Sequence, residues 1–108
     1  MKFNYKTSMS ENFIRENHDK VNWDLICMYQ KLSEEFIREF QDKVEWLSVS
    51  KFQTLSEVFI REFTNRVKWD RISCYQKLSE EFIREFQDKV DWYYISKYQK
   101  LSKDFKIK

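Results

Sequence analysis

Apolar residues return along this chain with two alternating spacings. In the stretch from Ser33 to Leu55, SEEFIREFQDKVEWLSVSKFQTL, Phe36, Ile37, Phe40 and Val44 fall at i, i+1, i+4 and i+8, one face of an α-helix. Trp46, Val49, Phe52 and Leu55 then follow three apart, as suits a second, shorter helix of α or 3₁₀ type. Ser33 reads as the N-cap of the first helix, with Glu34 and Glu35 in the first turn, where carboxylates complement the helix dipole. That helix is expected to stop near Asp42–Lys43. Asp19, Asp42, Asn65 and Asp88 stand where a left-handed cap would be placed, since Asp and Asn tolerate it best after glycine. Asn22 and Asp91 are good N-caps for the second helix, whereas Glu45 and Lys68 are poor ones.

The same pattern recurs every 23 residues, at 10–32, 33–55, 56–78 and 79–101, with tryptophans at Trp23, Trp46, Trp69 and Trp92. Residues 1–9 read as the tail of a preceding unit, with Met9 at the Leu32 position, and 102–108 as the start of a following one. A tandem period of this size marks a solenoid, in which each unit buries its apolar face only against its neighbours. The expected fold is therefore all-α: one domain, a short α-solenoid of four helix-turn-helix repeats, each a longer helix plus a short one, with partial capping repeats at both ends. Asn17 replaces the phenylalanine of the later copies and Lys106 stands where isoleucine is expected, polar changes that suit terminal units.

Composition supports this reading. Gly and Pro are absent, which argues against tight β-hairpins, and 19% of the residues are aromatic, too many for a disordered chain despite a charged fraction of 35%. The net charge of +2 implies no partner by itself. No apolar run approaches the roughly 20 residues of a membrane span. Two unpaired-looking cysteines, Cys27 and Cys74, at different repeat positions, argue for packing roles and a reducing, cytoplasmic location. On the polar side of the first helix, Glu34, Arg38 and Asp42, and Glu39 and Lys43, are spaced for i,i+4 pairs on a solvated face.

Candidate chemistry is sparse. The tryptophans could be stacking platforms for single-stranded nucleic acid, but recurrence in phase with Val, Ile and Leu favours core. Gln30, Gln53, Gln76 and Gln99 are identical in all copies, which a solvated position does not require. They read as side chains that satisfy backbone groups at turns lacking Gly and Pro. His18, the only histidine, cannot with Asp19 and Cys27 supply the three or four close ligands of a metal site. Without glycine there is no phosphate loop, and no serine or cysteine has a recognisable base. No cofactor, metal or catalytic residue is expected, and the chain does not read as an enzyme.

What remains are the positions that differ between copies, all on or beside the second helix. Asn22, Glu45, Lys68 and Asp91 form one set; Asp24, Leu47, Asp70 and Tyr93 the next; then Leu25, Ser48, Arg71 and Tyr94; and finally Met28, Lys51, Cys74 and Lys97. This strip is the expected recognition surface, with unconstrained drift as the alternative. Within it Leu47, Lys68, Asp70, Arg71, Asp91, Tyr93, Tyr94 and Lys97 are the candidate partner-binding residues, Leu47, Arg71, Tyr93 and Tyr94 being the anchors. A second reading is nucleic-acid binding by the basic third repeat, through Arg61, Arg66, Lys68 and Arg71, together with the terminal lysines.

The stretch LSEEFIREFQDKVDWYYISKYQKLS fits the pattern L-S-E-x-F-I-R-E-F-x-D-K-V-x-W-x-x-I-S-x-x-Q, which covers roughly residues 9 to 105. In this it resembles the tandem repeats of uncharacterised proteins of phages, giant viruses and their hosts. With only Asn17, His18 and Lys106 as polar caps on its end units, the chain is expected to be a monomer or to dimerise end to end. The resemblance implies a small interaction module. In its sharper form it implies an inhibitor of a host defence enzyme such as a nuclease or CRISPR effector, an anti-CRISPR.

Overall fold

The computed structural model describes residues 2–106. It holds eight α-helices and, among the described residues, no strand: α1 (Glu11–Glu16), α2 (Trp23–Tyr29), α3 (Glu34–Glu39), α4 (Trp46–Phe52), α5 (Glu57–Glu62), α6 (Trp69–Tyr75), α7 (Glu80–Glu85) and α8 (Trp92–Tyr98). Odd helices open a repeat, even helices close it, and the repeats stack along a long axis of 54 Å. The stack is carried by the even helices, which pack as neighbours in the order α2, α4, α6, α8. The chain is a short helical-repeat solenoid.

Each odd helix starts where its serine predicts. The Oγ atoms of Ser10, Ser33, Ser56 and Ser79 accept hydrogen bonds from the amides of Phe13, Phe36, Phe59 and Phe82. The end of that helix differs from expectation. It closes at Glu39 and its equivalents after six residues, so the opening helix is the shorter of the two, and the closing helix is a seven-residue α-helix. The reason lies in Phe40. It leaves the helical region at φ −109°, ψ 30°, and its carbonyl accepts from the amides of both Lys43 and Val44, winding the chain into a tight turn.

No described residue has a positive φ, so Asp19, Asp42, Asn65 and Asp88 are not left-handed caps. The even helices exit differently again. Gln30, Gln53, Gln76 and Gln99 step straight into extended backbone, with φ from −89° to −96°. A chain that reverses through bridge-region turns and extended corners has no position that requires glycine.

Helices of six or seven residues are far below the roughly 12–15 at which an isolated helix becomes marginal in water, so stacking supplies the stability. Ile14, Ile37, Ile60 and Ile83 and, on the even helices, Ile26, Val49, Ile72 and Ile95 are fully buried. At every junction a tryptophan of one repeat lies against two phenylalanines of the next. Trp46 stands 6.1 Å from Phe59 and 5.1 Å from Phe63, ring centre to ring centre, and Trp23 and Trp69 repeat the arrangement. Each indole N–H donates to a backbone carbonyl five residues earlier, Gln41 in the case of Trp46. Phe13, whose equivalents are buried under such a tryptophan, meets Phe3 instead, edge to face at 5.9 Å, and is 39% exposed.

The glutamines hold the same junctions. Buried Gln76 donates from Nε2 to the carbonyls of Ser50 (2.9 Å) and Gln53 (2.6 Å) and accepts at Oε1 from the amide of Leu55 (3.1 Å). Gln53 makes the equivalent three bonds to Cys27, Gln30 and Leu32, and Gln99 to Ser73, Gln76 and Leu78. Each closes the C-terminal end of the even helix in the repeat before its own.

The charged face also ties repeat to repeat, where i,i+4 pairing along one helix was expected. Arg15, Arg38 and Arg61 bond Glu39, Glu62 and Glu85, each 24 residues on. Lys43 reaches back to Asp19, and Arg66 to Asp42. Glu11, Glu34, Glu57 and Glu80 each accept from the amide and hydroxyl of the serine 22 residues later. Asp42 and Lys43 lie beyond the helix end, out of step with Arg38 and Glu39, so the expected spacing has no helix to act on. Only Arg84 and Glu80 form an i,i+4 pair among the described residues, at 3.9 Å.

This ladder predicts a pH dependence. The Arg15 guanidinium, hydrogen-bonded to Glu39, holds that carboxyl below its ordinary value, and the Lys43 ammonium does the same for Asp19. The amide and hydroxyl of Ser102 lower Glu80. A carboxylate depressed in the folded state stabilises above its unfolded pKa, near 4, and loses that contribution as pH falls through the folded value. The thermal midpoint is expected to stay level from neutral pH to about pH 5 and to drop below about pH 4. In Glu39→Gln the acid drop should be shallower, as followed by circular dichroism, and an unchanged slope would refute the assignment.

Candidate partner-binding face

The candidate residues all lie along the even helices, but they are not equally offered to solvent. Leu47, on the first turn of α4, is 44% exposed and Tyr93, on α8, is 65% exposed. Lys68 and Asp70 are exposed, while Arg71, Asp91 and Tyr94 are half-buried. Asp91 caps α8, accepting at Oδ1 from the amides of Tyr93 and Tyr94, at 3.1 and 3.4 Å. As the sequence suggests, Glu45 and Lys68 make no such cap. The previous repeat holds the backbone just before the helix whether or not the side chain caps: the amide of Lys68 donates to Ser50 Oγ at 3.0 Å, and that of Asp91 to Ser73 Oγ at 2.9 Å.

Two clusters emerge. On α8, Tyr93 and Tyr94 meet edge to face at 5.2 Å, Tyr94 stacks on Tyr98 at 6.1 Å, and the Lys97 ammonium lies over the rings of Tyr93 and Tyr98. On α6, Asp70 engages Arg71 through its backbone amide (2.8 Å) and its guanidinium (3.6 Å). Leu47 stands apart on α4.

One of the four variable positions is not a surface position throughout. Ser48 is buried and donates to Asp24 Oδ1 at 2.6 Å across the first junction, because this position lies where successive even helices meet. Of the cysteines, Cys27 is buried; burial raises its thiol to about 11, and its sulfur accepts from the amide of Glu45. Cys74 is half-buried, and both are free. His18 sits on the first repeat with Nδ1 3.1 Å from Asp19 Oδ1.

The largest feature of this face lies outside the expected set. Tyr29, Phe52, Tyr75 and Tyr98 occupy one repeat position and stand between 43% and 51% exposed, in a row down the solenoid. Phe52 is thus not a core position of its helix. The three-residue spacing from Val49 turns it about 60° to one side of the buried stripe, where it stands exposed. Tyrosine in three of the four copies, against Ile, Val and Phe at the buried positions, is the signal that separates the row from the core.

With this architecture, the chain is a tandem-repeat scaffold whose even helices present one continuous face. Comparison with protein-family models, with curated proteins and with solved structures returned no match. No helix of the described residues is long and apolar enough to cross a membrane.

Proposed function

We propose that the chain is a non-catalytic protein-interaction module, binding its partner through the even-helix face centred on α8. The observation that carries the reading is the exposed aromatic cluster of Tyr93, Tyr94 and Tyr98 with Lys97 across it. Rigid aromatic side chains and arginine are the residue types that dominate interface energetics, and here Tyr93 and Tyr98 stand exposed with half-buried Tyr94 packed against both. Arg71 and Leu47 extend the same face along the stack. Inhibition of a host defence enzyme is the sharper form of this reading, and its target would meet Tyr93 and Tyr94 first.

The nucleic-acid reading is less favoured by the geometry of the third repeat. Arg61, Arg66 and Arg71 are paired with Glu85, Asp42 and Asp70, so their charge is largely answered within the solenoid. Affinity capture from a cell lysate with the wild-type chain and with the variant R71A/Y93A/Y94A tests the proposal. A protein held by the wild type is expected to be lost from the variant at moderate salt. Equal capture by both would place the binding surface elsewhere.

A further inference from the structure

The row of Tyr29, Phe52, Tyr75 and Tyr98 is a repeating structure with its own chemistry. Between Tyr29 and Phe52 lies a groove of about 300 Å³, and between Tyr75 and Tyr98 one of about 380 Å³. Both are floored by residues that belong to the stack, Gln30, Gln53 and Leu32 in one and Gln76, Gln99 and Leu78 in the other. Lysines dress the row. Lys6 lies over the Tyr29 ring, Lys51 over both Phe52 and Tyr75, and Lys97 over Tyr98. Lys31, Lys77 and Lys100 line the grooves themselves. Among the described residues none of these six lysines pairs with a carboxylate, whereas Arg15, Arg38, Arg61 and Lys43 on the opposite ladder all do. Uncompensated positive charge and uncovered aromatic surface therefore coincide on one track.

The spacing of the track selects its occupant. Successive even helices are in contact, so the rungs advance by roughly 8–10 Å. A polyproline II chain turns once every three residues and rises about 9 Å per turn, in step with the rungs. An extended strand repeats every second residue, about 6.7 Å, and falls out of phase. Stacked bases advance about 3.4 Å each along a strand, so about three would crowd each rung, which offers a single ring. An α-helix, about 10–12 Å across, is too thick to enter clefts between ridges set this closely. Proline rings also pack well into aromatic-walled grooves at low entropic cost, because the helix is preformed.

The geometry points to an acidic, proline-rich segment of a partner protein, bound in polyproline II form with one turn per repeat. Proline rings would lie in the grooves between aromatic rungs, and carboxylates would meet the six lysines. This deepens the protein-interaction reading and rests on it.

Fluorescence anisotropy with a labelled Glu-Pro-Pro repeat peptide, long enough to span four rungs, tests the inference on the full chain. The peptide is expected to bind, and Phe52→Ser with Tyr75→Ser to weaken it at least tenfold while the helical circular dichroism is unchanged. Lys51→Glu with Lys97→Glu, which keeps both ring positions, should weaken it comparably. A Lys-Pro-Pro peptide should not bind. Polyglutamate or oligothymidylate of matching length binding as tightly as the Glu-Pro-Pro peptide would overturn the proposal, as would no binding of that peptide at all. If the peptide fails while lysate capture still depends on Arg71, Tyr93 and Tyr94, the inference falls and the interaction module stands.

Discussion

Replacing Gln76 by leucine is expected to cost about 3–6 kcal/mol, a large share of the total stability of a domain this size. Leucine fills the space but can neither donate to the carbonyls of Ser50 and Gln53 nor accept from the amide of Leu55. All three backbone groups lie at a buried junction, and each unsatisfied group there costs about 1–3 kcal/mol. Glutamate is expected to be worse at neutral pH. It keeps the acceptor for Leu55 but turns a carboxylate oxygen toward two carbonyls in a buried site, which raises its folded pKa. The Gln76→Glu penalty should therefore grow as pH rises from about 4 through that raised value, and shrink on acidification. Gln41→Leu is the control. That side chain is half-buried and bonds only the carbonyl of Arg38 within its own turn, so the change should stay within roughly 0.5 kcal/mol. Urea unfolding of the three variants measures the differences. A Gln76→Leu loss no larger than that of Gln41→Leu would mean that the glutamines do not hold the junctions.

These glutamines show how far the sequence reaches. Four identical polar residues in the middle of an apolar pattern betray a structural task, and the serine caps are equally legible, because both depend on local chemistry that every copy repeats. The ion pairs are not legible in the same way. Arg38 has carboxylates at several nearby spacings, and which of them it meets depends on how one repeat sits on the next. The chain end of each opening helix was hidden for a related reason. Phe40, a core residue by its periodicity, also supplies the carbonyl on which the turn winds, and no side-chain pattern announces that.

The candidate face divides along the same line. Variation between copies picks out Tyr93, Tyr94 and Lys97, which the structure gathers on α8. Variation cannot find the aromatic row, since Tyr29, Phe52, Tyr75 and Tyr98 hardly vary. An aromatic residue that recurs in every repeat reads as core unless the angle of its helix against the neighbours is known. The row lies about 60° to one side of the buried stripe, and only the packing of α2, α4, α6 and α8 shows that it is left exposed.

Trp46→Ala is expected to unfold the solenoid far more readily than Trp92→Ala, though the two substitutions are chemically identical. Trp46 is buried against the paired rings of Phe59 and Phe63, and its removal opens a cavity at the junction of the second and third repeats, at a cost of about 3–5 kcal/mol. In a linear array stability is a sum of repeat and interface terms, so a broken central interface leaves two halves of two repeats each. Helices of six and seven residues cannot persist in halves that short, and the loss spreads to the whole chain. Trp92 is half-buried and has Phe105, at 6.4 Å, as its one aromatic neighbour among the described residues, so its removal should cost roughly 1–2 kcal/mol. The damage there is local: amides of α8 should lose protection from hydrogen exchange while those of α4 and α6 keep it. In Trp46→Ala, by contrast, protection should fall in all eight helices together. Equal losses in the two variants would mean that the repeats do not act as a nearest-neighbour stack, because only in such a stack does position along the chain decide what one indole is worth.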